Sequence, residues 1–211
     1  MHTEQLIDML ARDAGPAPRA VVARRLLPVM LMGVLCSVVL ALWLIGPLPA
    51  ESFQTPAPWV KLAYAAALAV GAGLLTSRLA RPVAELFTPR LLVGLAVGAM
   101  ALIGAATLFL TPAQERVDAV FGQTWLTCPW TLLGFSLPAL AGILWAMRGL
   151  APTRPRQAGW AGGLLAGALG AMGYALSCPE SSPTFVAIWH TAGMAMTAYI
   201  GRLLGPIVLR W

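Results

Sequence analysis

Residues 26–50 read LLPVMLMGVLCSVVLALWLIGPLPA and contain no charged side chain over 25 positions. A helix that crosses a bilayer needs roughly 20 predominantly apolar residues. The length and the apolar composition of this stretch therefore predict a membrane-spanning helix. Further uncharged stretches of the same kind occur along the rest of the chain.

Five more windows lack Asp, Glu, Lys and Arg, and four of them are long enough to span a bilayer. The fifth, residues 62–77, reaches that length if Trp59 and Lys61 lie at the interface, where an aromatic ring and a snorkelling ammonium are favourable. We therefore predict an all-α polytopic membrane protein, a six-transmembrane-helix bundle with a short N-terminal cytoplasmic amphipathic helix. The predicted domains are a cytoplasmic tail, 1–25, and a membrane domain, 26–211, with spans at about 26–46, 59–77, 91–111, 128–147, 158–178 and 184–204.

The composition and the placement of the charges set the class and the orientation of the chain. Of 211 residues, 59% are hydrophobic and 10% charged, whereas soluble domains carry about 25% charged residues, so a single water-soluble globule is excluded. Of the 14 basic residues, 12 lie in the N-terminal tail, the second and fourth connections and the C-terminal end. The positive-inside rule then predicts that both termini are cytoplasmic. No basic cluster interleaved with aromatic residues points to direct nucleic-acid binding.

The tail carries a short amphipathic pattern in residues 3–13, where Leu6 and Leu10 stand at helical spacing among acidic and basic side chains. A helix of about three turns is marginal on its own in water, so its apolar side needs a surface to lie against. Two interpretations stay open. The helix packs on the inner face of the membrane or frays, or it is a recognition helix that docks Leu6, Ile7 and Leu10 in a groove of a cytoplasmic partner.

Two of the three cysteines have related positions. Cys36 falls in the middle of the first span, where it serves as a small hydrophobe, whereas Cys128 and Cys178 are each followed by proline at the outer ends of consecutive antiparallel spans. The outer side of a bacterial inner membrane is oxidising and permits a disulfide. Three readings remain: a structural disulfide, a redox- or metal-responsive switch, and two unrelated buried residues. His190, about two turns into the last span, is a hydrogen-bonded packing residue or a ligand.

The spans give further indications about class. Small residues recur at spacing four, which predicts close helix packing, in Gly94 with Gly98, in Gly159, Gly163 and Gly167, and in Gly201 with Gly205. No charged side chain falls near the middle of a span, which disfavours an ion-coupled transporter. HExxH, GxSxG and CxxC motifs are also absent from the sequence, so we do not expect an enzyme.

Several segments resemble one family of bacterial membrane proteins. They are TEQLIDMLARD at residues 3–13, Cys128-Pro129, and above all SCPES at residues 177–181, with Phe185 and WHTAG at residues 189–193. Over essentially the whole chain the sequence resembles the six-span NrsF-type family. The resemblance implies an anti-sigma factor that sequesters an extracytoplasmic-function sigma factor at the inner membrane and releases it under stress. It also implies that Cys128 and Cys178 are the family's paired cysteines, needed for the response to heavy metals and oxidative stress.

The expected function follows from this resemblance. The tail would bind the sigma factor through Leu6, Ile7, Leu10 and Asp13. Cys128 and Cys178 would form a soft-metal or disulfide pair, with His190 and Glu180 as further candidate metal ligands. We expect no required cofactor beyond a heavy-metal ion bound transiently at the cysteine pair; the expected partners are the sigma factor and the lipid bilayer. The alternatives are a small six-span transporter and a structural membrane subunit with a Cys128–Cys178 disulfide.

Overall fold

The computed structural model describes residues 20–81, 85–150 and 152–210, together with Thr3, Gln5 and Ile7. Every regular element within these residues is helical, which confirms the all-α class. The predicted tail residues Leu6, Leu10 and Asp13 lie outside the described residues. Ile7 is helical, and its side chain is exposed. The amphipathic helix of the tail as a whole stays a prediction.

The helices are connected by short turns and loops. In chain order they are α1 (Val21–Leu44), α2 (Pro56–Leu79), α3 (Phe87–Leu110), α4 (Arg116–Phe121), α5 (Cys128–Arg148), α6 (Pro155–Tyr174), α7 (Pro183–Phe185) and α8 (Thr191–Val208). A π-helical turn, Val186–His190, joins α7 to α8. Two 3₁₀ turns, Ala50–Gln54 and Ala113–Glu115, lie in the connections that follow α1 and α3.

Four helices of the described part are long and apolar enough to cross a membrane, namely α1, α2, α3 and α5. Large apolar side chains on them are exposed, with Trp43 80% and Leu110 86% accessible, as expected of surfaces that face lipid rather than water. The predicted spans 158–178 and 184–204 are also helical, but α6 is rich in glycine and alanine and mostly buried, and the last helix is divided by the π turn. The count of six spans therefore stays a prediction.

Helix α6 lies at the centre of the bundle and packs against α1, α2, α5 and α8. Its glycines allow the backbones to approach closely. A methyl group on Gly163 would stand 2.8 Å from Cα of Ala198, and one on Gly167 would stand 2.9 Å from Cα of Met194. The predicted close packing through small residues is thus confirmed between α6 and α8.

The small residues of α3 behave differently. No described residue lies within 4 Å of a methyl group placed on Gly94 or Gly98. Within the described part of the chain, these two glycines therefore do not form a close helix contact, and the prediction of tight packing is wrong for them. Spacing alone does not distinguish a stripe that meets a neighbouring helix from one that faces outward.

The predicted spans and the observed helices differ at their ends by a few residues. The second helix begins at Pro56, because proline fits the first turn of a helix, where its missing N–H is not needed. Lys61 was expected at the interface with its ammonium in water. Instead its side chain is 2% exposed, because the amine finds a hydrogen-bond acceptor inside the protein.

Candidate functional site

Cys128 begins helix α5 at one end of the bundle. The preceding turn is closed by a hydrogen bond from the Cys128 N–H to the Thr124 carbonyl, and Pro129 occupies the first helical turn. The Cys128 side chain is completely buried. The sequence Thr-Cys-Pro thus places a thiol inside the protein at the start of a membrane-length helix.

His190 is a polar partner of this thiol. The Cys128 Sγ and the His190 Nδ1 are 3.6 Å apart, within hydrogen-bonding range for sulfur. His190 is the last residue of the π turn, a helical irregularity that is frequent at functional sites. Its Nε2 atom is buried without a hydrogen-bond partner among the described residues. Whichever nitrogen carries the proton, one polar atom of this ring is unsatisfied, which is uncommon in a folded interior.

Aromatic rings enclose the thiol and the imidazole. Tyr174, at the end of α6, stacks on His190 with ring centres 5.5 Å apart, and Phe185 meets the same imidazole edge-on at 6.2 Å. Phe135 packs in turn against Tyr174. The Tyr174 hydroxyl lies next to both Cys128 and Cys178. Tyr174 therefore connects the two predicted cysteines in one buried cluster.

Cys178 follows helix α6 rather than ending it, because the helix stops at Tyr174 and turns continue to the cysteine. The thiol is completely buried. The backbone carbonyl of Cys178 accepts a 2.7 Å hydrogen bond from the Lys61 Nζ atom of α2. A cavity of about 150 Å³ lies beside Cys178 and Lys61 and is also lined by Glu180. The segment that carries the second thiol thus borders open space.

Glu180 is bound to the loop that precedes α5. Its Oε1 atom accepts hydrogen bonds from the Gln123 N–H at 2.8 Å, and from the N–H and hydroxyl of Thr124 at 2.9 Å each. Gly122, whose φ is +52°, allows the carboxylate to approach the backbone closely. The observed role of Glu180 is to tie the segment after Cys178 to the turn before Cys128.

Two more contacts fix the same end of the bundle. The Trp189 Nε1 donates to the Val120 carbonyl at 2.9 Å, and the Ser182 hydroxyl donates to the Ala119 carbonyl at 2.7 Å. Trp189 also packs against Phe121 and Trp125. These contacts therefore tie the helix α4 and its following loop to the π turn that carries His190.

Of the four predicted metal ligands, three are gathered in this cluster, namely Cys128, Cys178 and His190. Both thiols are free, as is Cys36. Within the described ranges, no three side chains among His, Cys, Asp and Glu are grouped closely enough to hold a metal ion. The arrangement offers two thiols and an imidazole with one nitrogen that has no hydrogen-bond partner among the described residues, and thiolate and imidazole are ligands that soft cations accept.

Sequence reasoning misses two residues of the cluster, Lys61 and Tyr174. Each leaves a signal in the sequence. Lys61 is an ionisable residue at the edge of a predicted span, and such residues usually have a partner inside the protein. Tyr174 precedes Cys178 by four residues, a spacing that places two side chains on one side of a helix.

Comparison with known proteins adds a family to this geometry. The sequence model of the NrsF family, described as negative regulator of sigma F, matches residues 10–211. The chain is 39% identical over 213 residues to the probable anti-sigma-F factor NrsF of Azospira oryzae (strain ATCC BAA-33 / DSM 13638 / PS), with 100% of both chains covered. It is 36% identical over 214 residues to the anti-sigma-F factor NrsF of Caulobacter vibrioides (strain NA1000 / CB15N), again with 100% of both covered.

No solved structure matches the chain. The family match covers almost the whole length, and both relatives align from end to end. The match includes the segment in which Cys128, Cys178 and His190 form their cluster. The chain therefore belongs to the NrsF family of negative regulators of sigma F.

Proposed function

We propose that the protein is a membrane-bound anti-sigma factor. It holds an extracytoplasmic-function sigma factor through residues 1–25 and releases it when Cys128 and Cys178 react with a soft metal ion or an oxidant. The observation that carries the regulatory part is membership of the NrsF family over the whole chain. Two full-length relatives are named anti-sigma-F factors.

The proposed topology has six spans in the inner membrane with both termini in the cytoplasm. It is supported by the four membrane-length helices and by the division of the basic residues, of which 12 of 14 fall on one side. In this topology α6 and the last helix also cross the membrane, although α6 is mostly buried among the other helices and the last helix follows a π turn. The cluster of Cys128 and Cys178 then faces the outside, and the tail faces the sigma factor.

Several features support the cysteine cluster as the sensor. The two thiols share the Tyr174 hydroxyl as a neighbour, and a cavity of about 150 Å³ reaches Cys178. His190 places its Nδ1 atom 3.6 Å from the Cys128 Sγ, and its Nε2 atom has no hydrogen-bond partner among the described residues. Soft ions such as cadmium prefer thiolate and accept imidazole, so these groups suit them better than a hard cation.

An oxidant acts on the same two sulfur atoms, those of Cys128 and Cys178. Hydrogen peroxide converts one thiol to a sulfenic acid and releases water, and the second thiol then condenses with it to a disulfide and a second water. Two electrons pass from the sulfurs to the peroxide. His190 accepts the proton of the Cys128 thiol while sulfur attacks, since its Nδ1 atom lies 3.6 Å from Sγ.

Helix α1 supplies a route from the cluster to the tail. It packs on α5 and α6, with Gly33 facing Ala139 of α5 and the Ser37 hydroxyl bonded to the Gly170 carbonyl of α6 at 2.9 Å. A change in how the ends of α5 and α6 are held shifts this packing, and packed helices switch between discrete arrangements. Useful release requires that binding of the sigma factor weaken by a few kcal/mol, because each 1.4 kcal/mol raises the dissociation constant only tenfold.

The binding part is tested by co-expressing a tagged full chain with an extracytoplasmic-function sigma factor of the same organism and measuring co-purification. Deletion of residues 2–19 leaves α1 complete and should abolish capture. A chain with Leu6, Ile7 and Leu10 all changed to Ala should lose most of it, whereas a chain with Thr3 and Gln5 changed to Ala serves as the control. Undiminished capture by the deleted chain contradicts the proposal.

The sensing part is tested with a reporter driven by the released sigma factor. Cys128→Ser and Cys178→Ser should each abolish induction by cadmium or peroxide while repression in unstressed cells is kept. Cys36→Ser is the matched control and should respond as the unaltered chain does, because Cys36 lies in α1 and takes no part in the hydrogen bonds and ring contacts of the cluster. Induction that persists in either Cys128→Ser or Cys178→Ser contradicts a switch that needs both thiols.

A further inference from the structure

We propose that a second site, at the end of the bundle opposite to Cys128, binds the phosphate group of an anionic phospholipid. The site is a cavity of about 350 Å³ between α2, α3, α6 and α8. It is lined by Arg90, Arg156 and Arg202, together with Gln157, Trp160 and two leucines of α2. It is separate from the cysteine cluster and goes beyond the regulation of a sigma factor.

The charge of the cavity points to an anion. Three guanidinium groups come from three different helices, and no carboxylate is among the described residues that line the space. Like charges held close together repel each other, and an anion between them removes that cost. Arginine presents a planar fork of donors that matches the oxygens of phosphate, and the Gln157 amide adds a neutral donor.

The walls of the cavity point to a lipid rather than to a free ion. Leu75 and Leu79 are buried and give an apolar floor, while Trp160 is 37% exposed, and tryptophan is favoured at the depth of lipid headgroups. Basic pockets between membrane helices on the cytoplasmic side are places where anionic headgroups bind. The volume falls in the range of about 300–1,000 Å³ that is usual for small-ligand sites.

The position of the cavity also distinguishes it from a protein-docking surface. It is a recess among four helix ends rather than a flat face, so it admits a headgroup more readily than the surface of a folded partner. The neighbouring groove, which shares Arg90, is lined by Glu85 and Arg154 and is wider, at about 640 Å³. Because that groove contains a carboxylate, we assign the phosphate to the cavity with three arginines and not to the groove.

Such a site would hold four helices together at the end nearest the tail. The lipid phosphate pairs with Arg90 of α3, Arg156 of α6 and Arg202 of α8, which are otherwise three like charges on separate helices. Bound lipid should therefore raise the stability of the bundle by mass action.

The test uses the full chain purified in a mild detergent. Native mass spectrometry counts bound dioctanoyl phosphatidylglycerol, with phosphatidylcholine of the same chain length as the zwitterionic comparison. The unaltered chain should retain phosphatidylglycerol at least about tenfold more strongly, which corresponds to 1.4 kcal/mol. The triple variant R90Q/R156Q/R202Q should lose this preference. The matched control R78Q/R81Q/R210Q removes the same charge from exposed arginines outside the cavity and should keep it.

Other outcomes decide against the proposal. Equal binding of the two lipids, unchanged binding by R90Q/R156Q/R202Q, or an equal loss in the control overturns it. If inorganic phosphate displaces phosphatidylglycerol when both are present at equal concentration, the cavity is a site for free phosphate and not for a lipid. If R90Q/R156Q/R202Q keeps its lipid binding but no longer captures the sigma factor, the three arginines form a surface for an acidic protein, and the proposal is overturned. If the triple variant does not fold, the single variants R156Q and R202Q should each weaken phosphatidylglycerol binding, and binding unchanged in both overturns the proposal.

Discussion

At the scale of single residues, the cluster at the cysteine end depends on groups that fix the backbone as much as on the thiols. Lys61 is buried, and its one observed hydrogen bond goes to the Cys178 carbonyl. A buried amine is costly unless it is hydrogen-bonded. The bond therefore holds α2 against the segment that carries Cys178, and it controls how readily that thiol opens to a reagent.

Lys61→Met should make Cys178 more reactive, because methionine keeps most of the side-chain length but donates no hydrogen bond. Losing a bond that involves a charged donor costs about 1.5–3 kcal/mol, so local opening and maleimide labelling of Cys178 should be about tenfold faster. Labelling of Cys36 in the same chain is the internal control, and mass spectrometry of peptides distinguishes the sites. Equal labelling of Cys178 in both chains would show that the lysine does not hold this segment.

Gly122 is the second residue that the cluster requires, because Glu180 lies against it and its φ is +52°. Gly122→Ala should destabilise the protein by about 1–3 kcal/mol through backbone strain and should also displace the Glu180 carboxylate. Gly46→Ala is a matched control, since Gly46 has a φ of +94° and open space around it. Thermal unfolding in detergent should show a larger loss for Gly122→Ala, and equal losses would mean that Glu180 is not displaced.

At the scale of elements, the bundle is organised by one glycine-rich helix. The α6 backbone approaches α8 at Gly159, Gly163 and Gly167, so that van der Waals contact replaces the hydrophobic effect, which lipid does not supply between helices. The same spacing in α3 meets no described neighbour. Close packing thus depends on which side of a helix its small residues occupy relative to the rest of the bundle.

The difference between the two stripes gives a stability prediction. Gly163→Ala adds a methyl group against the backbone of α8 and should destabilise the fold by about 1–3 kcal/mol, the usual cost of overpacking. Gly98→Ala adds the same group in open space, and alanine is about 1 kcal/mol better than glycine within a helix, so this control should be neutral or stabilising. The unfolding midpoints of both variants test this, and a harmless Gly163→Ala would contradict the close contact.

At the scale of the whole molecule, the sequence predicts most of the architecture and part of the site. Uncharged windows locate the helices to within a few residues, because a long apolar stretch has few alternatives to a helix. Pro129 correctly marks the start of α5, whereas Pro179 lies five residues beyond the end of α6 at Tyr174. The sequence pattern does not predict contacts between residues that are far apart in the chain. The contact of His190 with Cys128 depends on the π turn, and the burial of Lys61 depends on a carbonyl 117 positions away.

The six-span and four-span topologies differ in the side of the membrane on which the chain lies after α5. If only α1, α2, α3 and α5 cross the membrane, the chain from Thr153 onward stays on one side; if six helices cross, Ser181 returns to the side of Gln54. Both of these residues, and Thr153, lie in connections between the helices. Single cysteines at these positions, in a chain whose three native cysteines are serine, can be labelled with a membrane-impermeant maleimide. Gln54→Cys and Ser181→Cys should react in intact cells and Thr153→Cys only after lysis, whereas protection of Ser181→Cys in intact cells would contradict the six-span orientation and with it an outward-facing cysteine cluster.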